Sequence, residues 1–175
     1  MLAIVIGILV VAAVSTTGDW IWYDLGVTHR MAAGVIHGAV LLGAVGGVLG
    51  AAAGRLIAGL PIGAVAGVGG AMVYYLLVPA IGQVAIVAAW AAVWILLAWL
   101  DGTWLRRRSR STVEILSRGV LAAFLGGLAF SLVLGTLWGR APAGGRNYLL
   151  QFAAWTFAWT PGILALTLGR RDDRP

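Results

Sequence analysis

Residues 83–111 read QVAIVAAWAAVWILLAWLDGTWLRRRSRS. Seventeen consecutive uncharged residues, 84–100, precede Asp101, and four arginines follow between positions 106 and 110. An apolar run of about this length crosses a bilayer as one helix. Arginines concentrated beyond its end are typical of the side of the membrane that faces the cytoplasm. This stretch therefore predicts a transmembrane helix over residues 83–100 whose C-terminal end faces the cytoplasm.

The composition of the whole chain also indicates an integral membrane protein. Of 175 residues, 61% are hydrophobic and 10% are charged, and the mean hydropathy is +0.97. A soluble domain has about 25% charged residues. The net charge of +6 comes from arginine alone. Because the arginines lie in predicted loops and the tail, orientation and anionic lipid headgroups explain them, and no nucleic-acid partner is predicted.

Runs of apolar residues predict a single bundle of six transmembrane helices. These helices are expected over about 1–17, 31–53, 56–79, 83–100, 119–138 and 148–168. The first run lacks the basic start of a signal peptide, so we interpret it as a short, retained helix. In the alternative, its removal would leave five helices. Residues 105–118 are predicted to be either a short interfacial helix or a loop.

Residues 18–30 are interpreted as an interfacial loop that follows the first helix; in the alternative, the helix extends to Trp20 or Trp22. Trp20, Trp22 and Tyr23 form an aromatic belt of the kind found at membrane surfaces. Two aspartates and a histidine lie in the same stretch, but their spacing matches no recognised metal pattern. A solvated loop is therefore favoured over a metal site, and no metal or cofactor is predicted.

The second and third predicted helices carry glycines at intervals of four residues. Gly46 and Gly50 are one such pair on the second helix, and Gly59, Gly63 and Gly67 follow on the third. Small residues allow helix backbones to approach closely where lipid supplies no hydrophobic drive for association. These faces are predicted to pack two helices of one chain together, or to join copies of the chain in a homo-oligomer.

The distribution of arginine predicts the orientation of the six helices. With six crossings, both termini and the second and fourth loops share one side, which holds nine arginines, and the other side holds three. Arginine is enriched on the cytoplasmic side. Both termini are therefore expected in the cytoplasm.

Five residues are candidates for the lining of a lipid pocket: His37, Gln83, Trp90, Trp94 and Trp155. An ionisable residue inside the membrane is a functional candidate, although a histidine bonded to a neighbouring carbonyl is the alternative. Tryptophans at mid-membrane depth need partners for their indole N–H groups and either fill the core or line a pocket. A tightly packed bundle with no cavity is equally compatible with this pattern.

The sequence carries no motif of an enzyme. The predicted membrane interior contains no Asp, Glu, Arg or Lys, and His29 and His37 form no metal cluster. No serine-nucleophile motif of the G-x-S-x-G type is present. We therefore predict a non-enzymatic protein.

The fourth helix and its surroundings resemble the Insig family. Gln83 precedes an aromatic-rich helix that ends at Asp101, the sequence RRSRS follows at 107–111, and the last helix ends in Gly169 and Arg170. The resemblance implies a six-helix bundle with a central, membrane-accessible cavity for a sterol or another lipid. It also implies that Gln83 belongs to the pocket and that Asp101, with Arg107 and Arg108, belongs to a cytoplasmic partner surface.

The predicted function is thus a non-enzymatic, Insig-like membrane sensor that binds a lipid or sterol-like molecule between its helices. The alternatives are a small transporter or channel, or an accessory subunit of a membrane complex. Abundant glycine, alanine and arginine without lysine indicate a GC-rich bacterium, so the inner membrane is the predicted location.

Overall fold

The structure of the chain, a computed structural model, describes residues 2–105, 111–133 and 147–167. Its helices are α1 (Leu2–Asp24), α2 (Arg30–Ala52), α3 (Leu56–Ile81), α4 (Ala85–Leu100), α5 (Thr112–Val133) and α6 (Tyr148–Thr167). A 3-10 turn, Gly82–Val84, joins α3 to α4, and a π-helical turn, Asp101–Leu105, extends α4. The described residues contain no strand. The prediction of an all-helical chain is confirmed.

Five helical stretches are long and apolar enough to cross a membrane, which agrees with a multi-pass membrane protein. One of them, Leu56–Leu105, has 50 residues. At about 1.5 Å per residue it would extend for about 75 Å, far beyond a hydrocarbon core of about 30 Å. The chain instead turns back at Gly82, where φ is 60°, and α3 packs against α4. Six crossings remain a prediction.

The six α-helices form a closed ring. Each helix packs against the next one in the chain, and α1 packs against α6 to complete the circuit. The largest fully buried side chains are Trp94 and Trp159, which fill the middle of this ring together with Leu49, Leu97 and Ile163. The core is therefore aromatic on the side of α4 and α6 and aliphatic elsewhere.

The predicted glycine faces of α2 and α3 contact each other. A Cβ atom added to Gly46 would lie 2.6 Å from the Cα of Gly63, and one added to Gly50 would lie 2.9 Å from the Cα of Gly59. Backbone thus touches backbone, which only glycine permits at this separation. Because the glycines are used within one chain, they give no support to the predicted homo-oligomer.

The first helix is longer than predicted. α1 continues to Asp24, beyond the expected end near residue 17 and two residues beyond Trp22, the furthest end considered, so the loop predicted at 18–30 is wrong for its first part. The hydroxyls of Ser15 and Thr16 donate to the carbonyls four residues earlier, at 2.9 Å in both cases, so polar side chains do not interrupt the helix. The helix ends before Gly26, whose φ is 67°.

The fifth helix starts earlier than the predicted residue 119, because Ser111 caps it. The Ser111 hydroxyl accepts a hydrogen bond from the Glu114 backbone N–H at 3.2 Å, the arrangement of a helix N-cap. Arg118 forms an ion pair with Glu114 at 3.5 Å within the helix. The second half of the stretch predicted as an interfacial helix or a loop therefore forms about the first two turns of α5.

Side chains tie the helices together at both ends of the ring. At one end, Nη1 of Arg55 donates to the carbonyl oxygens of Trp104, at 2.7 Å, and Leu105, at 3.1 Å. A cation is favourable there because the last carbonyls of a helix carry partial negative charge. At the other end, the Tyr75 hydroxyl donates to the Arg30 carbonyl at 2.8 Å.

Candidate functional site

A cavity of about 230 Å³ lies inside the ring, between α2, α3, α4 and α6. Glycines from α2 and α3 form one wall, tyrosines lie at its rim, and aromatic rings lie opposite. These residues are Gly34, Gly38, Gly67, Gly70, Tyr74, Tyr75, Trp90, Phe130, Trp155 and Trp159. The lining is almost wholly apolar, so the cavity suits a hydrocarbon group.

The cavity extends from one end of the bundle to its middle. Gly34 lies one turn inside the start of α2 at Arg30, and Leu42 lines the deepest part. At about 1.5 Å per residue, Leu42 is about 18 Å along the helix from Arg30. A hydrocarbon core is about 30 Å thick. A molecule in this cavity would therefore lie mostly in one half of the membrane and would reach about to its middle.

Stacked aromatic rings form the floor of the cavity. The ring of Trp90 lies 4.9 Å from that of Phe130, with 16° between their planes, and also 4.9 Å from that of Trp159. Trp155 lies 5.5 Å from Phe130 on the other side. Aromatic pairs at such separations add about 0.5–1.5 kcal/mol each beyond their buried area. The floor is thus a rigid surface built by three helices.

Helix α1 supplies hydrogen-bond acceptors for two of these rings. Nε1 of Trp155 donates to Oδ2 of Asp19 at 2.7 Å, and Nε1 of Trp159 donates to Oγ of Ser15 at 2.9 Å. Ser15 and Asp19 are four residues apart, as are the two tryptophans, so the two hydrogen bonds lie about one helical turn apart. The polar edges of both rings are satisfied away from the cavity, which the rings face with carbon atoms.

A third bond joins the same two helices near the end of the bundle. The Tyr148 hydroxyl donates to Oδ2 of Asp24 at 2.6 Å. Asp19 and Asp24 were predicted to be solvated loop residues, and that prediction is wrong because α1 carries both of them against α6. Their carboxylates orient side chains of α6.

The indole N–H groups of Trp90 and Trp94 are buried and have no acceptor among the described residues. Both lie beside glycines of α5, since a Cβ atom added to Gly126 would be 3.1 Å from Nε1 of Trp94, and one added to Gly127 would be 3.7 Å from Nε1 of Trp90. These donors therefore face the backbone of α5 and not the open cavity.

Three of the five predicted pocket residues line the cavity, namely His37, Trp90 and Trp155. Trp94 is fully buried at 0% exposure and lies beneath the floor. Gln83 is exposed on the 3-10 turn, where its Oε1 accepts a hydrogen bond from the Tyr74 hydroxyl at 3.3 Å. Gln83 thus contacts a rim residue of the cavity from outside.

The predicted partner surface is only partly described. Asp101 lies in the π-helical turn and is buried, with 5% of its surface exposed. Its side chain is therefore not presented on a surface of the described bundle. Arg107 and Arg108 lie outside the described residues, so their predicted partner role is not tested.

His37 of α2 packs toward α1. The alternative interpretation, a hydrogen bond from its ring to a carbonyl of a neighbouring helix, is not found among the described residues. Its ring packs against Gly18, where an added Cβ atom would lie 3.0 Å from Nε2. It makes no hydrogen bond with the described residues. The ring is held by contact alone, unlike the rings of Trp155 and Trp159.

Sequence reasoning missed the rim tyrosines, Phe130 and Trp159. Trp155 and Trp159 occur four residues apart on α6, which is a signal that both face the same side. No such signal indicated that Ser15 and Asp19 of α1 accept hydrogen bonds from these tryptophans, because Trp159 and Trp155 lie 144 and 136 positions away in the sequence.

The described residues contain no group of three or more His, Cys, Asp or Glu side chains that could hold a metal ion. No protein-family model, curated protein or solved structure matches the chain. The candidate site is accordingly defined by its geometry.

Replacing Ser15 by alanine is expected to destabilise the bundle by about 1–3 kcal/mol. The change leaves Nε1 of Trp159 buried without its acceptor, and an unsatisfied buried donor costs about that much. Thr16→Ala is the matched control, because the Thr16 hydroxyl bonds only within α1. Unfolding in detergent by sodium dodecyl sulfate, followed by circular dichroism, measures the difference. Equal losses in the two variants would contradict the role of the Ser15–Trp159 bond.

Proposed function

We propose that this chain is a six-span, non-enzymatic membrane protein that binds one lipid or sterol-like molecule in the cavity between α2, α3, α4 and α6. The observation that carries the proposal is the combination of an apolar cavity with a rigid aromatic floor. Because Trp155 and Trp159 of the floor bond to α1, they offer carbon faces to the ligand. Such a lining favours hydrocarbon over a polar or charged molecule.

The size of the cavity limits how much of a ligand it would enclose. Pockets for small molecules usually measure about 300–1,000 Å³. A volume of about 230 Å³ favours one acyl chain, or one end of a rigid ring system, over a whole lipid. The polar head would remain near the rim, where Tyr74 and Tyr75 carry hydroxyl groups.

The proposed orientation places both termini in the cytoplasm of a bacterial cell. It depends on the count of nine arginines against three and on six crossings. The rim of the cavity, next to Arg30, then opens toward the outer half of the membrane. The resemblance of residues 83–170 to the Insig family supports the same arrangement and remains a prediction, as does a partner role for Arg107 and Arg108.

Replacing Ala71 by leucine is expected to reduce bound lipid at least about tenfold. Ala71 lines the cavity, and the larger leucine side chain would fill part of the volume in which the proposed ligand binds. A tenfold loss corresponds to about 1.4 kcal/mol. The measurement is native mass spectrometry of the purified protein, combined with lipid extraction.

The matched control for this experiment is Ala153→Leu, the same change at an exposed position of α6. The control is expected to retain the lipid of the wild-type protein. An Ala71→Leu variant with full lipid occupancy, or a wild-type protein without any lipid, would overturn the proposal. Solute flux in liposomes that His37→Ala abolishes would instead favour the transporter or channel.

A further inference from the structure

A groove of about 560 Å³ runs along the outside of the ring between α1 and α2. Its walls include apolar side chains that are about half exposed, such as Val10 at 50%, Ile21 at 42% and Val40 at 57%. Both helices are long and apolar enough to cross a membrane. In a bilayer the groove would therefore face hydrocarbon, and an acyl chain of a membrane lipid is the group that would cover it.

The groove and the central cavity share the side chain of His37. Along α2, Ala33, Ile36 and Val40 line the groove, whereas Gly34 and Gly38 line the cavity. Positions three or four apart share a helix face. The groove-lining and cavity-lining residues therefore form two neighbouring faces of α2, and His37 lies where these faces meet. Its imidazole ring thus forms part of the wall between the two spaces.

No hydrogen bond holds this part of the wall. The His37 ring packs closely on the backbone of α1 at Gly18, in the space that a larger side chain there would fill, and it makes no hydrogen bond with the described residues. By contrast, Asp19 and Ser15 fix Trp155 and Trp159 on the opposite side of the cavity. A rotation of the imidazole about its side-chain bonds, away from Gly18, would give up this packing contact but would break no hydrogen bond within the described structure.

From these observations we propose that the α1–α2 groove is the port through which an acyl chain passes from the bilayer into the central cavity, and that His37 is the movable part of its wall. The inference rests on the proposed function, because it assigns a route to the same ligand. The role of His37 is steric. Its size should control the rate at which the bound acyl chain exchanges with the bilayer.

The test follows the exchange of one acyl chain in the intact protein. Protein loaded with perdeuterated palmitic acid is mixed with phosphatidylcholine vesicles that contain unlabelled palmitic acid. Native mass spectrometry then records the isotope that is bound over time. His37→Ala is expected to exchange about tenfold faster than the wild type and His37→Trp about tenfold slower, a change of about 1.4 kcal/mol in the barrier.

Val120→Ala is the control, since Val120 is exposed on α5 and lines neither the groove nor the cavity, and its exchange rate should equal that of the wild type. Palmitate that binds the wild type but exchanges at one rate in all variants would overturn the port and leave the lipid-binding function standing. Palmitate that never binds, in the wild type or the control, would overturn the function itself. If His37→Trp does not fold, the acceleration in His37→Ala decides the question alone.

Discussion

Replacing Trp94 by alanine is expected to destabilise the folded bundle by about 3–5 kcal/mol, the usual cost of removing a fully buried tryptophan. Trp94 has no exposed surface, and its ring lies 6.0 Å from that of Trp90 and 5.8 Å from that of Trp159. An added Cβ atom on Gly162 would lie 2.8 Å from its Cε2. The absence of a side chain at Gly162 of α6 thus leaves room for this ring. Removal of the Trp94 ring would leave a void that the backbone of α6 cannot fill.

Trp99→Ala is the matched control for this prediction, because Trp99 lies on the same helix but is 41% exposed. An exposed substitution of this kind costs about 0.5 kcal/mol. Unfolding by sodium dodecyl sulfate in detergent micelles, followed by circular dichroism, compares the two variants. Equal stability losses would show that Trp94 is not the centre of the packed core.

Replacing Gly46 by alanine is expected to destabilise the bundle by about 3 kcal/mol, at the upper end of the usual cost of overpacking. The new methyl group would lie 2.6 Å from both the Cα and the backbone nitrogen of Gly63. Backbone atoms cannot rotate aside as a flexible side chain can. Helices α2 and α3 must therefore separate along the face on which they are closest.

Gly43→Ala provides the matched control on the same helix. Its nearest neighbour would be the Leu60 carbonyl oxygen at 3.5 Å, which is an ordinary contact. Alanine favours a helix over glycine by about 1 kcal/mol, so this variant is expected to be as stable as the wild type or more stable. The melting temperature in detergent, measured by size-exclusion chromatography after heating, ranks the three proteins. A Gly46→Ala variant as stable as Gly43→Ala would contradict the close backbone contact.

Those features that depend on local composition could be predicted from the sequence. The apolar run at 84–100 and its arginine flank indicate a helix in a membrane, because length and hydropathy are properties of one segment. The glycine spacing predicted the contact between α2 and α3, because two complementary ridges leave few ways to pack. The end of α1 was predicted less well, since the polar residues between Ser15 and Asp24 look like a loop until their partners are known.

The candidate site could be predicted only in part for a related reason. The membrane helices are apolar on nearly all sides, so no hydrophobic stripe tells which face points inward. Trp90, Trp94 and Trp155 were equivalent candidates by composition. Their different positions, in the wall or beneath the floor, depend on how far each helix is rotated about its axis.

By itself, the sequence determined that this protein consists of helices suited to a bilayer, since that follows from how many apolar residues stand in a row. Only the tertiary structure decided that the helices close into a ring and that Ser15 and Asp19 of α1 hold the tryptophans of α6. It alone also decided that a cavity remains beside them. The physical reason is that hydrogen bonds and voids belong to pairs of surfaces, and residues more than a hundred positions apart meet only after the chain has packed.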